Sequence, residues 1–197
     1  MVFIADKHNF KAIASNMEKV LKTSQKKYIG NSYFAKYAFT HNGFLFATDG
    51  WQMIGIRYEH LIPMNGEFIK DKTAYNFKVS NFNKWNISIE LEEVQGVVFG
   101  NIDTVINFKV EHSFGYSFND IDSWLAFNYR LGSFNHEHLE IAFEVARNNG
   151  IITYSNSRQM KVENNYAFFT CLSKIASKDI IKPKSLDEAI KELNVES

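Results

Sequence analysis

A chain of 197 residues, 45% of them hydrophobic, carries enough apolar material for one large domain or two small ones, which excludes wholesale disorder. Its 22 Lys and Arg balance its 22 Asp and Glu, so no global field draws it to nucleic acid or to a membrane, and an electrostatic partner must be met by a local patch. The lone cysteine, Cys171, excludes an internal disulfide. No apolar run reaches the roughly 18 residues of a membrane span, and Met1–Asp6 has no signal-peptide pattern, so a cytoplasmic protein without a membrane partner is expected.

Val2–Ala5 reads as a short strand. Lys7–Lys27 reads as a helix, because Phe10, Ile13, Met17, Val20 and Leu21 fall on a single apolar stripe at helical spacing. Gly30-Asn31-Ser32 breaks that pattern. Tyr33–Thr40 and Phe44–Thr48 then read as strands joined by His41-Asn42-Gly43, since Asn-Gly tolerates the positive φ of a type I′ hairpin turn. Asp49-Gly50 marks a second turn, before a third strand over Trp51–Tyr58.

Pro63, Asn65 and Gly66 mark Leu61–Asp71 as a connection between substructures. Tyr75–Val79, Ile87–Val94, Val97–Phe99 and Thr104–Glu111 read as strands, with room for at most one helical turn between Ser80 and Trp85. Phe114–Ser133 is aromatic and Asn-rich and carries no clear period. A second helix is expected over His136–Asn148, with Asn135 as N-cap, Leu139, Phe143 and Ala146 as its apolar stripe, and Gly150 as its stop. Ile151–Tyr154, Gln159–Glu163 and Tyr166–Leu172 follow as strands. Helix plus meander thus occurs twice, as a repeat of pattern. The tail 178–184 is basic, and Ser185-Leu186-Asp187-Glu188 fits a capping box opening a short helix to Leu193.

Catalytic chemistry finds little support. The ten glycines are scattered singly, with no phosphate-cradling loop. His136 and His138 stand two residues apart on a helix, about 200° around its axis, so they cannot share one ion unaided. Cys171 lies in the apolar run Phe168–Leu172, where burial raises a thiol pKa and suppresses reactivity. Asp120 and Asp122, beside Asn119 and Ser123, read as solvated turn residues. The expectation is a protein that is not an enzyme and holds no cofactor and no metal.

The first helix carries the chemistry that remains. At about 100° per residue with Lys11 at zero, Lys22 falls near 20°, Lys26 near 60° and Lys19 near 80°, while the apolar stripe centres near 230°. Lysines on one narrow face opposite the core can line duplex phosphates without reading bases. Glu18, near 340°, dilutes the face, and an ordinary solvated surface is the competing reading.

The run Phe44-Leu45-Phe46-Ala47-Thr48-Asp49-Gly50, after the hairpin His41-Asn42-Gly43-Phe44-Leu45 and before Trp51–Ile56, resembles a repeat of the bacterial β sliding clamp, which has a similar A-T-D-G turn. Phe134-Asn135-His136-Glu137-His138-Leu139-Glu140-Ile141-Ala142 resembles the start of a clamp helix. The resemblance implies an α+β, DNA-clamp-like fold of repeated βαβββ units, divided as 1–61 (first unit), 62–133 (mainly β), 134–176 (second helix-plus-meander unit) and 177–197 (basic linker and short helix). It also implies a processivity factor that holds duplex DNA without sequence preference, tethers a DNA polymerase, and assembles as a homo-oligomer, in a short, phage-type version. Carried over, Lys11, Lys19, Lys22 and Lys26 line the inner wall of a ring. Glu137, Glu140 and Glu144 on the second helix, against Arg147, depart from that pattern. They favour an alternative: a clamp-fold module that binds a replication protein without encircling DNA.

Overall fold

The structure is a computed structural model; it describes residues 1–28, 33–110, 112–115, 121, 124, 134–147, 150–155 and 159–172. The chain forms two compact units, Met1–Ile106 with Asn165–Phe168, and Asn107–Asn164 with Phe169–Ser197. Both mix helices with antiparallel strands, so the fold is α+β.

In the first unit, strand β1 (Val2–Asp6) leads into helix α1 (Lys7–Lys27). Asp6 caps the helix by accepting the Asn9 N–H at 2.9 Å. Lys26 and Lys27 stand at the negative end of its dipole. Phe10, Ile13, Ala14, Met17, Val20 and Leu21 are all buried, the stripe expected from their spacing. Burying the five large members is worth on the order of 10 kcal/mol in transfer free energy, enough to hold the helix on its sheet.

The strands β2 (Ala38–His41), β3 (Phe44–Thr48) and β4 (Gln52–Arg57) form the meander. Asn42 and Gly43 take φ of 48° and 83° between the paired residues His41 and Phe44, as a type I′ turn requires. The strands β5 (Ile62–Pro63), β6 (Ala74–Asn81) and β7 (Asn86–Val94) complete a run ordered β5-β1-β7-β6-β2-β3-β4. The β6–β7 hairpin therefore inserts between β1 and β2, and this is what the segment after residue 62 contributes to the first unit.

Every residue of β2 and β3 is buried, because both faces of the sheet are covered here. One face carries α1. On the other, Phe34, Phe39, Phe44, Phe46, Met53, Ile102 and Phe168 form an aromatic core, with Val97, Phe99 and Ile106 packed against it. Gly55 lies under the Phe46 ring, where a Cβ would run into ring carbon Cδ1.

Three expected strands are corrected by this second layer. Tyr33 makes only an isolated bridge to Val98, and Phe34–Lys36 is a 3-10 turn that drops Phe34 into the aromatic core. Val97–Phe99 is likewise no strand beyond that bridge. Asp103–Ile106, which overlaps the start of the expected strand Thr104–Glu111, is the short helix α2. Ile102 and Ile106 are four apart and share the core, a helical spacing that outweighs the β-branched content.

In the second unit, β8 (His112–Gly115) pairs with β9 (Ile151–Ser155), which pairs with β10 (Gln159–Glu163), followed by β11 (Ala167–Leu172), whose first two residues belong to the first unit. Helix α3 (His136–Ala146) lies in sequence between β8 and β9. Asn135 caps it through the Glu137 N–H at 3.2 Å, and the Gly150 N–H closes its end on the Ala146 carbonyl. Its buried residues are Leu139, Ala142, Val145 and Ala146, whereas Phe143, expected in the stripe, is only half-buried. Asn164 donates to the Val145 carbonyl at 2.8 Å, and the Trp124 indole donates to the Leu139 carbonyl at 2.8 Å. The strand–helix–meander order is thus present in both units. The expected C-terminal helix and the basic tail lie outside the described residues.

Candidate nucleic-acid interface

With one face of α1 fixed on the sheet, the opposite face meets solvent. Lys11, Lys19, Lys22 and Lys26 are all exposed there. At about 1.5 Å of rise per residue the stripe from Lys11 to Lys26 runs about 22 Å. A duplex carries a phosphate charge every ~1.7 Å of its axis, so a stripe of that length spans several phosphates.

The four lysines are not equivalent. Glu18 sits half-buried beside them, its Oε1 accepting the Val79 N–H of β6 at 3.0 Å and its Oε2 accepting from Lys22 Nζ at 3.1 Å. Burial raises the Glu18 pKa, but the Val79 N–H, the Lys22 bond and charge, and the Lys78 charge together outweigh it and hold the carboxyl below its ordinary value. Lys22 is thus partly neutralised, leaving Lys11, Lys19 and Lys26 as the more available cations. Lys78, which shares this groove with Glu18 and Lys22, was not flagged by the sequence, because β6 placement decides its position.

The Thr48-Asp49-Gly50 turn is tied to the end of α1. Lys27 Nζ and Tyr28 Oη both donate to the Asp49 carbonyl, at 3.1 and 3.2 Å. The buried Asp49 carboxylate takes the N–H groups of Trp51 (2.9 Å) and Gln52 (3.1 Å) and the Gln52 side-chain amide (3.1 Å). Gly50 has φ +90°, and a Cβ there would meet Tyr28 Oη at 2.7 Å. The carboxylate is engaged within the turn by two backbone N–H groups and the Gln52 amide, while the Asp49 carbonyl anchors the C-terminal end of the lysine-bearing helix. Lys27 also lies over the rings of Tyr28 and Trp51, at 5.1 and 5.9 Å from their centroids.

The outer face of α3 is acidic. Glu137 and Glu140 are exposed, Glu140 lies 3.4 Å from His136, and Glu144 pairs with Arg147 at 2.7 Å. Cys171 is buried, and burial pushes its thiol pKa far up. His41 Nε2 lies 2.8 Å from Asp103 Oδ1 and 3.1 Å from the Asn42 amide, fastening the hairpin turn to α2. Among the described residues no group of three His, Cys, Asp or Glu side chains is placed to hold a metal ion, and no helix is long and apolar enough to cross a membrane. Asp120 and Asp122 lie outside the described residues.

No protein-family model and no curated protein matches the sequence. Among solved structures, the chain is similar to the Helicobacter pylori β clamp in complex with 5-chloroisatin, at a TM-score of 0.45 and 10% identity over 92% of this chain and 65% of that one. It is also similar to the Helicobacter pylori β clamp in complex with 3,4-difluorobenzamide, at a TM-score of 0.39 and 10% identity over 91% of this chain and 66% of that one. The chain thus spans 65% to 66% of the length of these clamps.

Proposed function

We propose that this protein is a clamp-like processivity factor that holds duplex DNA without sequence preference and tethers a DNA polymerase, acting without catalysis in the cytoplasm of a bacterial or phage-infected cell. The observation that carries the reading is the α1 surface: four exposed lysines along one side of a helix whose other side is buried on a sheet. Such a face meets phosphates and offers no base-reading groups, which gives affinity without specificity. In this reading Lys11, Lys19, Lys22 and Lys26 contact DNA. In this reading several copies of the chain assemble to close a ring.

A second reading, a clamp-fold module that binds a replication protein without encircling DNA, draws on the carboxylates of α3, which would repel phosphates. Charge reversal separates the two. Lys19→Glu with Lys22→Glu weakens duplex binding if the lysine face is the DNA contact, with a salt slope shallower by about 0.9 for the lost Lys19 contact, because Glu18 already holds Lys22. Duplex binding and slope unchanged in the double variant would transfer the function to the second reading.

A further inference from the structure

The hairpin joining β6 to β7 presents an aromatic and cationic tip. Residues 81–85 are all exposed, and two are large rings: Phe82 is 49% and Trp85 68% exposed. Trp is usually well covered in a folded chain, so exposure of this size is informative. The backbone beneath the rings is firmly held. Asn83 Oδ1 accepts the N–H groups of Trp85 and Asn86, both at 2.8 Å. Phe82 and Asn83 both donate to the Asn86 carbonyl at 3.1 Å, and the Lys7 N–H donates to the Trp85 carbonyl at 2.8 Å, which ties the tip to the first residue of α1. A ring on such a frame is pre-organised and loses little freedom when something stacks on it.

The charge around the rings is positive. Lys84 Nζ lies 4.8 Å from the Trp85 ring centroid, and Lys7 follows at the start of α1. The nearby carboxylates are engaged elsewhere. Asp6, whose Cα pairs with that of Asn86, caps α1 through the Asn9 N–H, and Glu90 is paired with Lys78 at 3.2 Å.

We propose that this tip is a stacking site for an unpaired base of single-stranded nucleic acid, with the base on Trp85, Phe82 as a second ring, and Lys84 and Lys7 meeting the adjoining phosphates. Aromatic rings interleaved with cations suit a polyanion whose bases have free π-faces. A continuous duplex keeps its bases paired and stacked, so it offers phosphates but no ring face. An apolar protein surface would match the two rings and leave the lysines unanswered. The rings are not part of the lysine face of α1, which Lys7 adjoins one turn before Lys11, and either site can fail while the other stands.

The test uses the full chain with a short fluorescein-labelled oligo(dT) and a blunt duplex, read by anisotropy. Trp85→Ala with Phe82→Ala is expected to weaken oligo(dT) binding by roughly 5- to 100-fold, the range for loss of base stacking, with duplex affinity within about twofold. Trp85→Phe, which keeps a ring, restores most of the loss and serves as the folded control. Lys19→Glu with Lys22→Glu weakens duplex binding and leaves the Trp85 dependence of oligo(dT) binding in place. Oligo(dT) binding that ignores Trp85→Ala overturns the proposal, and so does an equal loss on both nucleic acids. Trp85-dependent binding to anionic lipid vesicles with none to oligo(dT) would assign the tip to a lipid surface and also overturn it.

Discussion

Replacing Glu18 with Gln should strengthen DNA binding. The carboxylate has two bonds: Oε1 accepts the Val79 N–H, and Oε2 holds Lys22 Nζ at 3.1 Å. A glutamine keeps an oxygen for Val79, so the link from helix to strand survives, while the charge that occupies Lys22 is gone. One further lysine then becomes available to phosphate. Each phosphate contact contributes about −0.9 to the slope of log K against log salt, so the slope steepens from about −2.7 with three free lysines to about −3.6 with four. With the affinities extrapolated to 1 M salt equal, the added contact gives about eightfold tighter binding at 0.1 M. The assay is duplex anisotropy for both proteins over a series of salt concentrations. An unchanged slope, or weaker binding by Glu18→Gln, refutes the claim that Lys22 belongs to a phosphate-binding face. The same carboxylate has its folded pKa depressed, so its contribution to stability is present above the unfolded pKa and is lost as pH falls through the lower folded value. Glu18→Gln should flatten the acid limb of a pH–stability profile.

Two further predictions concern the frame that holds the helix. Gly55→Ala puts a methyl against the buried Phe46 ring and is expected to cost about 3 kcal/mol, read as a lower urea midpoint with unchanged m-value; a cost below about 0.5 kcal/mol would mean that the ring moves aside freely. Asp49→Ala removes the acceptor for three donors and is expected to cost about 2–3 kcal/mol, whereas Asp49→Asn, which keeps one oxygen for the Trp51 and Gln52 N–H groups, costs about 1 kcal/mol. Equal losses in the two variants would argue against the bonds from the Trp51 and Gln52 N–H groups as what holds the turn.

Local pattern made α1 legible: five apolar residues at helical spacing fixed its buried face, and the lysines followed from the same geometry. The Asn42-Gly43 hairpin was legible because both positions need positive φ. What local pattern could not show was the second layer on the sheet. Phe34 and Ile106 look like strand residues in isolation, yet the aromatic core pulls them into a 3-10 turn and a short helix. Phe143 fits the stripe of α3 by spacing, but packing gives the core positions to Ala142 and Val145. Of the candidate site, the sequence supplied the lysines and their shared face. It could not supply the Val79 contact that fixes Glu18 against Lys22, because β6 lies some sixty residues further along the chain. Nor could it show that the turn carrying the clamp resemblance ties down the end of the same helix.

In the function proposed above, copies of this protein close around duplex DNA and hold it by the α1 lysines. The most direct test is retention on closed circular duplex, followed by cutting the circle with a single-site nuclease, with the mass of the protein in solution measured alongside. The expected result is an oligomer that stays on closed circles, slides off after linearisation, and is no longer retained when Lys19 and Lys22 are both reversed to Glu. A strict monomer that fails to stay on closed circles even at low salt would contradict it.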